Sequence, residues 1–223
     1  IKSISLTFVP AAADADVTVS GTITAADVAT IKAAGGSGVL TANVQAAEAD
    51  QLNSSLTTGT SGDELNLVVN GQTALATDLN SLIAKTAGKI KLEATNVTGN
   101  LAEVQALYIT NKAHFTNLGN ENVTIHTDTP NATQLSTIAA ATTGKVTATL
   151  LPATTIDAAT VTALKDVKTS DNITFVAAAG SLTDKADMNA LLAIKKIIPN
   201  ADFSNIKNIT AAGENDVALV KNV

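Results

Sequence analysis

Residues 24–44, TAADVATIKAAGGSGVLTANV, contain a complete supersecondary unit in one short stretch. Val28 and Ile31 have the three-residue spacing that places two side chains on one face of a helix. Glycines follow, and residues 40–44 then alternate between aliphatic or alanine side chains and polar ones, as in a half-buried strand. The stretch therefore predicts a short amphipathic helix, a turn and a strand.

The helical half of this unit occurs seven times along the chain. Each copy has small residues, a polar position, an aliphatic anchor and a second aliphatic residue three or four positions later. The first anchors recur with a period of roughly 26 residues, which is typical of stacked supersecondary units. The anchor pairs are Val28/Ile31, Leu52/Leu56, Leu79/Leu82, Val104/Leu107, Leu135/Ile138, Val161/Leu164 and Met188/Leu191.

A strand pattern with a period of two follows most of the helical copies. Its first members recur at nearly the same interval as the helix anchors, so one helix and one strand are assigned to each unit. Glycines between the halves predict left-handed backbone that ends the helices, because glycine has no Cβ penalty there. These glycines are Gly35, Gly36, Gly62, Gly88 and Gly144. The inward strand sets are Leu40/Ala42/Val44, Leu65/Leu67/Val69, Ile90/Leu92/Ala94, Val123/Ile125, Val146/Ala148/Leu150 and Ile173/Phe175/Ala177.

Repetition without reversal predicts parallel strands joined by helical crossovers, which are right-handed in nearly all proteins. The expected fold class is α/β: a right-handed α/β solenoid of about seven strand-plus-helix coils with a parallel sheet, like a leucine-rich repeat but rich in alanine. We expect a single elongated repeat domain over residues 1–223, with N-terminal strands in 1–23, repeat coils in 24–198 and an irregular C-terminal coil in 199–223. The chain opens on Ile1, which suggests a piece of a longer protein.

The two ends are predicted to extend the same sheet. At the N-terminus the aliphatic and aromatic side chains alternate, and at the C-terminus they continue less regularly. These positions are Ile4, Leu6, Phe8, Val17 and Val19, and then Phe203, Ile206 and Ile209.

Composition disfavours several classes of function. All fourteen basic residues are lysine and the net charge is −6, so the chain lacks the basic stripe and the guanidinium groups that favour nucleic acid. The absence of cysteine excludes disulfides, thiolate nucleophiles and cysteine-ligated zinc. No apolar run reaches the ~18 residues of a spanning helix, so no membrane span is predicted.

The repeats resemble a known class of protein. Units such as GTITAADVATIKAAGGSGVLTANV (residues 21–44) and NATQLSTIAAATTGKVTATLLP (residues 131–152) resemble the Thr-, Ala- and Val-rich repeats of bacterial surface-layer (S-layer) proteins and of large type I-secreted surface proteins. The resemblance covers residues 17–198. It implies a secreted, extracellular structural protein that self-assembles at the bacterial cell wall. The calcium-binding Gly-Gly-x-Gly-x-Asp repeat of such proteins does not occur, since GGSG at 35–38 lacks the aspartate.

No residue pattern predicts catalysis. His114 and His126 are the only histidines, and His126 falls on the outward side of its strand beside Asn122 and Thr124, as an exposed sheet residue would. Carboxylates such as Asp27, Asp78 and Glu103 stand near helix starts, where they complement the helix dipole. Asp14 and Asp16 are interpreted as an acidic turn between two strands, with cation binding as the alternative. We therefore assign no catalytic, cofactor-binding or metal residues and expect no cofactor, with calcium considered only for regions outside this chain.

Six Asn-x-Ser/Thr triplets match the acceptor motif for N-linked glycosylation. In an alternating strand the same triplet also arises as two outward residues around a buried aliphatic one, which is the favoured interpretation of Asn122 and Asn172. Both interpretations stay open for the set. The triplets begin at Asn53, Asn96, Asn122, Asn131, Asn172 and Asn208.

The function expected from these features is structural. The leading hypothesis is a segment of a surface-layer protein that forms a cell-surface lattice through contacts with identical copies, because head-to-tail contacts between identical subunits generate sheets or filaments. Cell-surface polysaccharide or lipopolysaccharide is a further candidate partner. The alternative is a solenoid adhesin or carbohydrate-binding region of a secreted surface protein. An enzyme is disfavoured, since no Asp, Lys and Arg cluster repeats across neighbouring coils.

Overall fold

The computed structural model describes residues 15–35, 37–57, 61–152, 156–177, 180–182 and 185–209. In these ranges short helices alternate with short strands, which confirms the α/β class. The strands are β1 (Val17–Ile23), β2 (Leu40–Val44), β3 (Glu64–Val69), β4 (Thr73–Leu75), β5 (Ile90–Leu92), β6 (Asn96–Gly99), β7 (Phe115–Thr116), β8 (Asn122–Ile125), β9 (Val146–Thr149), β10 (Asn172–Thr174), β11 (Gly180–Leu182) and β12 (Ile206–Ile209). The helices are α1 (Ala25–Gly35), α2 (Ala49–Ser55), α3 (Ala76–Leu82), α4 (Leu101–Gln105), α5 (Ala132–Ala141), α6 (Ala158–Ala163) and α7 (Lys185–Ile197).

The chain divides into two compact units, residues 1–95 with 110–118, and residues 96–109 with 119–223. The first unit contains a five-stranded parallel sheet in the order β1-β2-β3-β5-β7. The two residues of each parallel pair are separated by nearly the same number of residues along the chain. The predicted repeat of parallel strands is therefore confirmed in this unit. The pairs are Val17 with Leu40, Thr41 with Glu64, Leu67 with Ile90, and Ile90 with Phe115.

The second unit contributes β10-β9-β8-β6, in that order, to a second five-stranded sheet. Its parallel partners recur in the same regular way, and β11 pairs with β12 in a separate parallel pair. The prediction that the C-terminal residues extend the same sheet is therefore wrong for β12, which pairs with β11 and not with the five-stranded sheet. The main pairs are Asn96 with Asn122, Val123 with Val146, and Thr147 with Asn172.

The core of each unit consists of the inward strand residues and the helix anchors. All of the predicted inward strand residues are buried, and so are thirteen of the fourteen anchors. Val161 is the exception and is half-buried. Most side chains here are aliphatic, and in the second unit Phe175 packs edge-on against Phe203 with ring centroids 5.8 Å apart.

Side-chain caps explain where several helices begin. The carboxamide oxygens of Asn100 and Asn131 accept from the backbone N–H three residues later in α4 and α5, and Asp157 does the same at α6. These bonds satisfy donors that a helix start leaves without an intrahelical partner. These three residues therefore act as N-caps.

The prediction of one strand per repeat is wrong in the middle of the chain. Two strands lie between consecutive helices there, β3 with β4, β5 with β6, and β7 with β8. Left-handed residues separate two of these pairs: Gly71 (φ 100°) follows β3, and Asn117 (φ 66°) and Gly119 (φ 117°) follow β7. The long step in the strand pattern, from Ile90 to Val123, arises because Ile90 pairs with Phe115 and Val97 pairs with Val123.

The prediction that the glycines end helices in a left-handed conformation is wrong for Gly62, Gly88 and Gly144. Within the described ranges, the only glycines with positive φ are Gly71 and Gly119. Gly35 is the last residue of α1. Gly36, like Ile4, Leu6, Phe8 and Asp14, lies outside the described residues.

Candidate functional site

His114 belongs to the first unit and His126 to the second. Both are exposed. His126 follows β8 on the same side as the exposed Asn122 and Thr124, which confirms its predicted outward position. Within the ranges that the structure describes, no three His, Asp or Glu side chains are grouped closely enough to hold a metal ion.

The carboxylates at helix starts lie where they were predicted. Asp27, Asp78 and Glu103 are each in the first turn of a helix. The Asp27 carboxylate accepts from the Thr24 hydroxyl at 2.7 Å and from the Thr24 backbone N–H at 2.9 Å. These bonds hold the pKa of Asp27 below its usual value, with the hydroxyl contributing most. Its role is that of a helix cap.

Two buried carboxylates were missed by the sequence analysis. Asp63 and Glu121 each stand just before a strand and are 2% and 3% exposed. Burying a carboxylate is costly unless it is paired or hydrogen-bonded. Their surroundings therefore determine what they can do.

The Asp63 carboxylate joins three successive segments of the first unit. Its Oδ1 accepts from Lys32 Nζ at 2.9 Å and from the Leu40 backbone N–H at 2.9 Å. Lys32 Nζ, at the end of α1, also donates to the Gly38 carbonyl at 2.8 Å. Among the described residues Asp63 Oδ2 has no partner. The ion pair thus binds α1, the start of β2 and the start of β3 to one another.

The Glu121 carboxylate is held by uncharged donors. Its Oε2 accepts from the Tyr108 hydroxyl at 3.1 Å and from the backbone N–H groups of Gly119 and Asn120 at 2.9 and 3.2 Å. Burial, followed by the neighbouring negative charge and this hydrogen bond, raises the pKa of the Tyr108 hydroxyl. Tyr108 lies in a π-helical turn, Ala106–Thr110, that follows α4. The arrangement fixes this turn to the start of β8.

The residues just before several successive strands alternate between an acidic residue and a glycine. The comparison of single sequence repeats did not predict this alternation. In the first unit Asp16 and Asp63 alternate with Gly38 and Gly88. Asp16 and Asp63 accept from the consecutive N–H groups of Val39 and Leu40, at 2.8 and 2.9 Å. The acidic segments on either side therefore satisfy the backbone of the glycine-type segment between them.

The second unit repeats this alternation with Glu121, Gly144 and Asp171. Val146 N–H donates to Asp171 Oδ1 at 2.9 Å, and the buried Thr142 hydroxyl donates to the Glu121 carbonyl at 2.7 Å. A Cβ built on Gly144 would lie 2.2 Å from the Glu121 carbonyl oxygen. Glycine is required there because one segment approaches the backbone of the segment before it. Gly88 is equivalent in the first unit, with Leu65 O at 2.5 Å.

Lysines near helix ends cross to the preceding segment in both units. Lys85 Nζ donates to the Leu56 carbonyl at the end of α2, and Lys168 Nζ donates to the carbonyls of Ala139 and Thr142 at the end of α5. Cations are favourable at these carbonyl ends of helices. Three lysines, including Lys32, thus hold neighbouring segments together.

Asparagines on the exposed sheet surfaces bond across neighbouring strands. Asn66 Nδ2 donates to Asn43 Oδ1 in the first unit, and Asn122 Nδ2 donates to Asn96 Oδ1 in the second. Asn122 and Thr124 are exposed around the buried Val123, so the pleat interpretation of this triplet is confirmed. Asn172 and Thr174 are exposed around Ile173 in the same way.

Among the described residues, each unit has an open groove beside neighbouring helices. The groove in the second unit, of about 580 Å³, lies between α5 and α6 and is lined by hydroxyl and alanine side chains together with Lys165 and Asp166. The other, of about 470 Å³, lies beside α1 and α2. Helices need more lateral room than the strand spacing provides, which accounts for gaps of this kind.

The described part of the chain contains no helix long and apolar enough to cross a membrane. No protein-family model matches this chain, and no curated protein or solved structure matches it either.

Proposed function

We propose that this chain is a structural segment of a bacterial surface-layer protein, located outside the cell, where it self-assembles into a lattice. The observation that supports the proposal is how the buried polar side chains are used. Asp63, Glu121, Thr86 and Thr142 are all buried, and each bonds to backbone or to a side chain from another segment of the same unit. Buried side chains that are hydrogen-bonded in this way stiffen a scaffold, as the proposed structural role requires.

The segments are proposed to wind as a right-handed α/β solenoid of about seven coils. The regular spacing of parallel partners within each unit supports this, together with the right-handed preference of parallel crossovers. In a repeat protein each coil contacts mainly its neighbours, so a whole coil can be removed.

Coil deletion tests the solenoid. Removing residues 123–145 joins Asn122 to Val146, which takes the place of its parallel partner Val123. The shortened chain is expected to unfold cooperatively and to keep its ratio of helix to strand by circular dichroism. A deletion of equal length that is out of phase, residues 111–133, is the control. Equal loss of structure in both deletions would contradict the solenoid.

Electron microscopy tests the lattice. The full chain at high concentration, with and without calcium, is expected to form ordered sheets or filaments through contacts between identical copies. Dispersed particles under both conditions, from protein whose circular dichroism shows it to be folded, would contradict the proposal. Added cell-surface polysaccharide or lipopolysaccharide tests the further partner.

The groove between α5 and α6 favours carbohydrate binding as a second candidate function. Its exposed hydroxyls belong to Thr133, Thr137 and Thr162, and a hydroxyl that donates to a helix carbonyl can still accept a hydrogen bond from a sugar. The buried Ser136 hydroxyl is bonded to Asp166. Glycan-array binding by the full chain that is lost in Ala159→Leu, which narrows the groove, would support an adhesin. Ala46→Leu in the groove of the first unit is the control.

A further inference from the structure

All six Asn-x-Ser/Thr triplets match the acceptor motif, but the structure distinguishes the five whose side chains it describes. Transfer of an N-linked glycan requires an asparagine carboxamide nitrogen that can reach a donor and a hydroxyl two residues later. Both groups must be accessible in the folded chain. We propose that Asn131 is the acceptor for a glycan delivered from a polyprenyl-diphosphate-linked oligosaccharide, a modification that rests on the proposed location outside the cell.

Two triplets have their carboxamide nitrogens engaged. Asn53 is half-buried and its Nδ2 donates to the Asp78 carbonyl at 2.9 Å. Asn122 Nδ2 donates to Asn96 Oδ1 at 3.1 Å, and Asn122 Oδ1 accepts from the Lys145 N–H at 3.0 Å. A glycan on either residue would have to replace bonds between neighbouring segments.

The other strand triplets are held in paired backbone. Asn96 lies in β6 and is half-buried, and Asn172 lies in β10, where Ile173 is buried between the two polar residues of the triplet. A transferase would have to detach the strand from its parallel neighbour to bind such a triplet. The side chain of Asn208 lies outside the described part of the chain.

Asn131 differs in each of these respects. It is exposed, precedes α5 and follows Pro130 rather than a paired strand. Its Oδ1 accepts from Gln134 N–H at 2.9 Å, and among the described residues its Nδ2 has no partner. Thr133, which supplies the hydroxyl, is also exposed. The helix start is held by the reciprocal bonds between Asn131 and Gln134, and its first N–H groups have no partner within the helix ladder. Opening this turn therefore breaks fewer hydrogen bonds than detaching a paired strand.

The chemistry preserves the cap. Asn131 Nδ2 forms a bond to the anomeric carbon of the first sugar while the bond from that carbon to the diphosphate oxygen breaks. The polyprenyl diphosphate leaves with the electron pair, and one amide proton passes to a base of the transferase. The product keeps its carbonyl oxygen, so the bond from Gln134 N–H survives and α5 remains capped.

The test uses the folded full chain, a purified oligosaccharyltransferase of Asn-x-Ser/Thr specificity and a lipid-linked oligosaccharide. Intact mass spectrometry is expected to show one added glycan, and peptide mapping should place it at Asn131. Asn131→Asp retains a capping oxygen and Thr133→Ala retains the cap itself, and either change should abolish the addition. Asn122→Gln is the matched control and should leave the addition unchanged.

The same reaction with unfolded chain tests whether the folded structure restricts the modification to Asn131. It should accept glycans at additional triplets, including Asn53. A folded chain that stays unmodified while the unfolded chain is modified would overturn the proposal, and so would equal modification of Asn122 and Asn131 in the folded chain. The reaction needs no lattice, so its result is independent of the microscopy experiment.

Discussion

The two buried carboxylates occupy equivalent places in the two units but are stabilised differently. Asp63, just before β3 in the first unit, is neutralised by Lys32 from helix α1. Glu121 in the second unit is surrounded by a tyrosine hydroxyl and two backbone N–H groups from its own vicinity. Both solutions allow a charge to be buried at a strand start.

The difference lies in what each charge depends on. Backbone donors such as Gly119 N–H are lost only when the residue is replaced by proline, so most of the stabilisation of Glu121 does not depend on side chains. Asp63 depends on one side chain 31 residues away, Lys32. The first unit should therefore be the more sensitive to loss of a single partner.

Lys32→Met tests this dependence and should have the largest effect. It removes the cation from Asp63 and leaves a buried carboxylate without charge compensation, which costs about 3 kcal/mol of unfolding free energy. Urea unfolding followed by circular dichroism measures the change. Lys91→Met is the matched control, because the Lys91–Glu93 pair is 48% and 42% exposed and should contribute less than ~1 kcal/mol. Equal losses in both variants would contradict the assignment of Asp63 as a buried charge held by Lys32.

Gly144→Ala extends the comparison to the second unit, where we expect backbone contacts to dominate. The added Cβ would lie 2.2 Å from Glu121 O, so the two segments must separate, with a loss of about 2 kcal/mol. Gly62→Ala is the control, because nothing lies within 4 Å of its Cβ position. That substitution should be neutral or should stabilise by up to ~1 kcal/mol, since alanine has less freedom in the unfolded chain. A Gly144→Ala protein as stable as the Gly62→Ala protein would show that the segments do not approach so closely.

Tyr108→Phe removes the side-chain donor to Glu121 and leaves its two backbone donors. The expected loss is about 1.5 kcal/mol, smaller than that of Lys32→Met. The pKa of Tyr108 is raised in the folded state, so its contribution is complete below the unfolded pKa of about 10 and is lost as the pH rises above it. Tyr108 is the only tyrosine, and the chain has no tryptophan. Ultraviolet absorbance should therefore detect tyrosinate only as the protein unfolds, and tyrosinate appearing near pH 10 in folded protein would contradict the buried contact.

The anchors and inward strand residues could be predicted from sequence because burial follows directly from the periods of helix and strand. Val28 with Ile31 and Leu65 with Leu67 were found in this way and are buried. Asp63 and Glu121 could not be predicted, because a single carboxylate gives no indication of its partner and Lys32 is 31 residues from Asp63. The alternation of acidic residues and glycines before the strands has a period of two strand-plus-helix repeats. A comparison of each repeat with the next one therefore does not show it.

The sequence pattern also did not show why glycine is required at positions such as Gly144. A glycine after a helix is typical of a left-handed cap. Only the structure shows that Gly144 is needed because a side chain there would collide with the backbone of the preceding segment. The triplet at Asn131, which lies outside a paired strand, is a similar case. It matches the same acceptor motif as the other five, and only the hydrogen bonds and strand pairing around each described asparagine distinguish it.

Thr24→Ala should have the smallest effect, because the Thr24–Asp27 cap at the start of α1 is exposed and local. The loss should be about 0.5–1 kcal/mol, well below that of Lys32→Met at the other end of the same helix. The folded pKa of Asp27 lies below its unfolded value, so the cap contributes above the unfolded pKa and is lost as the pH falls through the folded pKa. An NMR titration of the Asp27 carboxylate should show its pKa rising toward the ordinary value in Thr24→Ala and staying low in Thr24→Ser, which keeps the hydroxyl. An unchanged pKa in Thr24→Ala would mean that the hydroxyl is not what lowers it, since the backbone N–H remains in both variants.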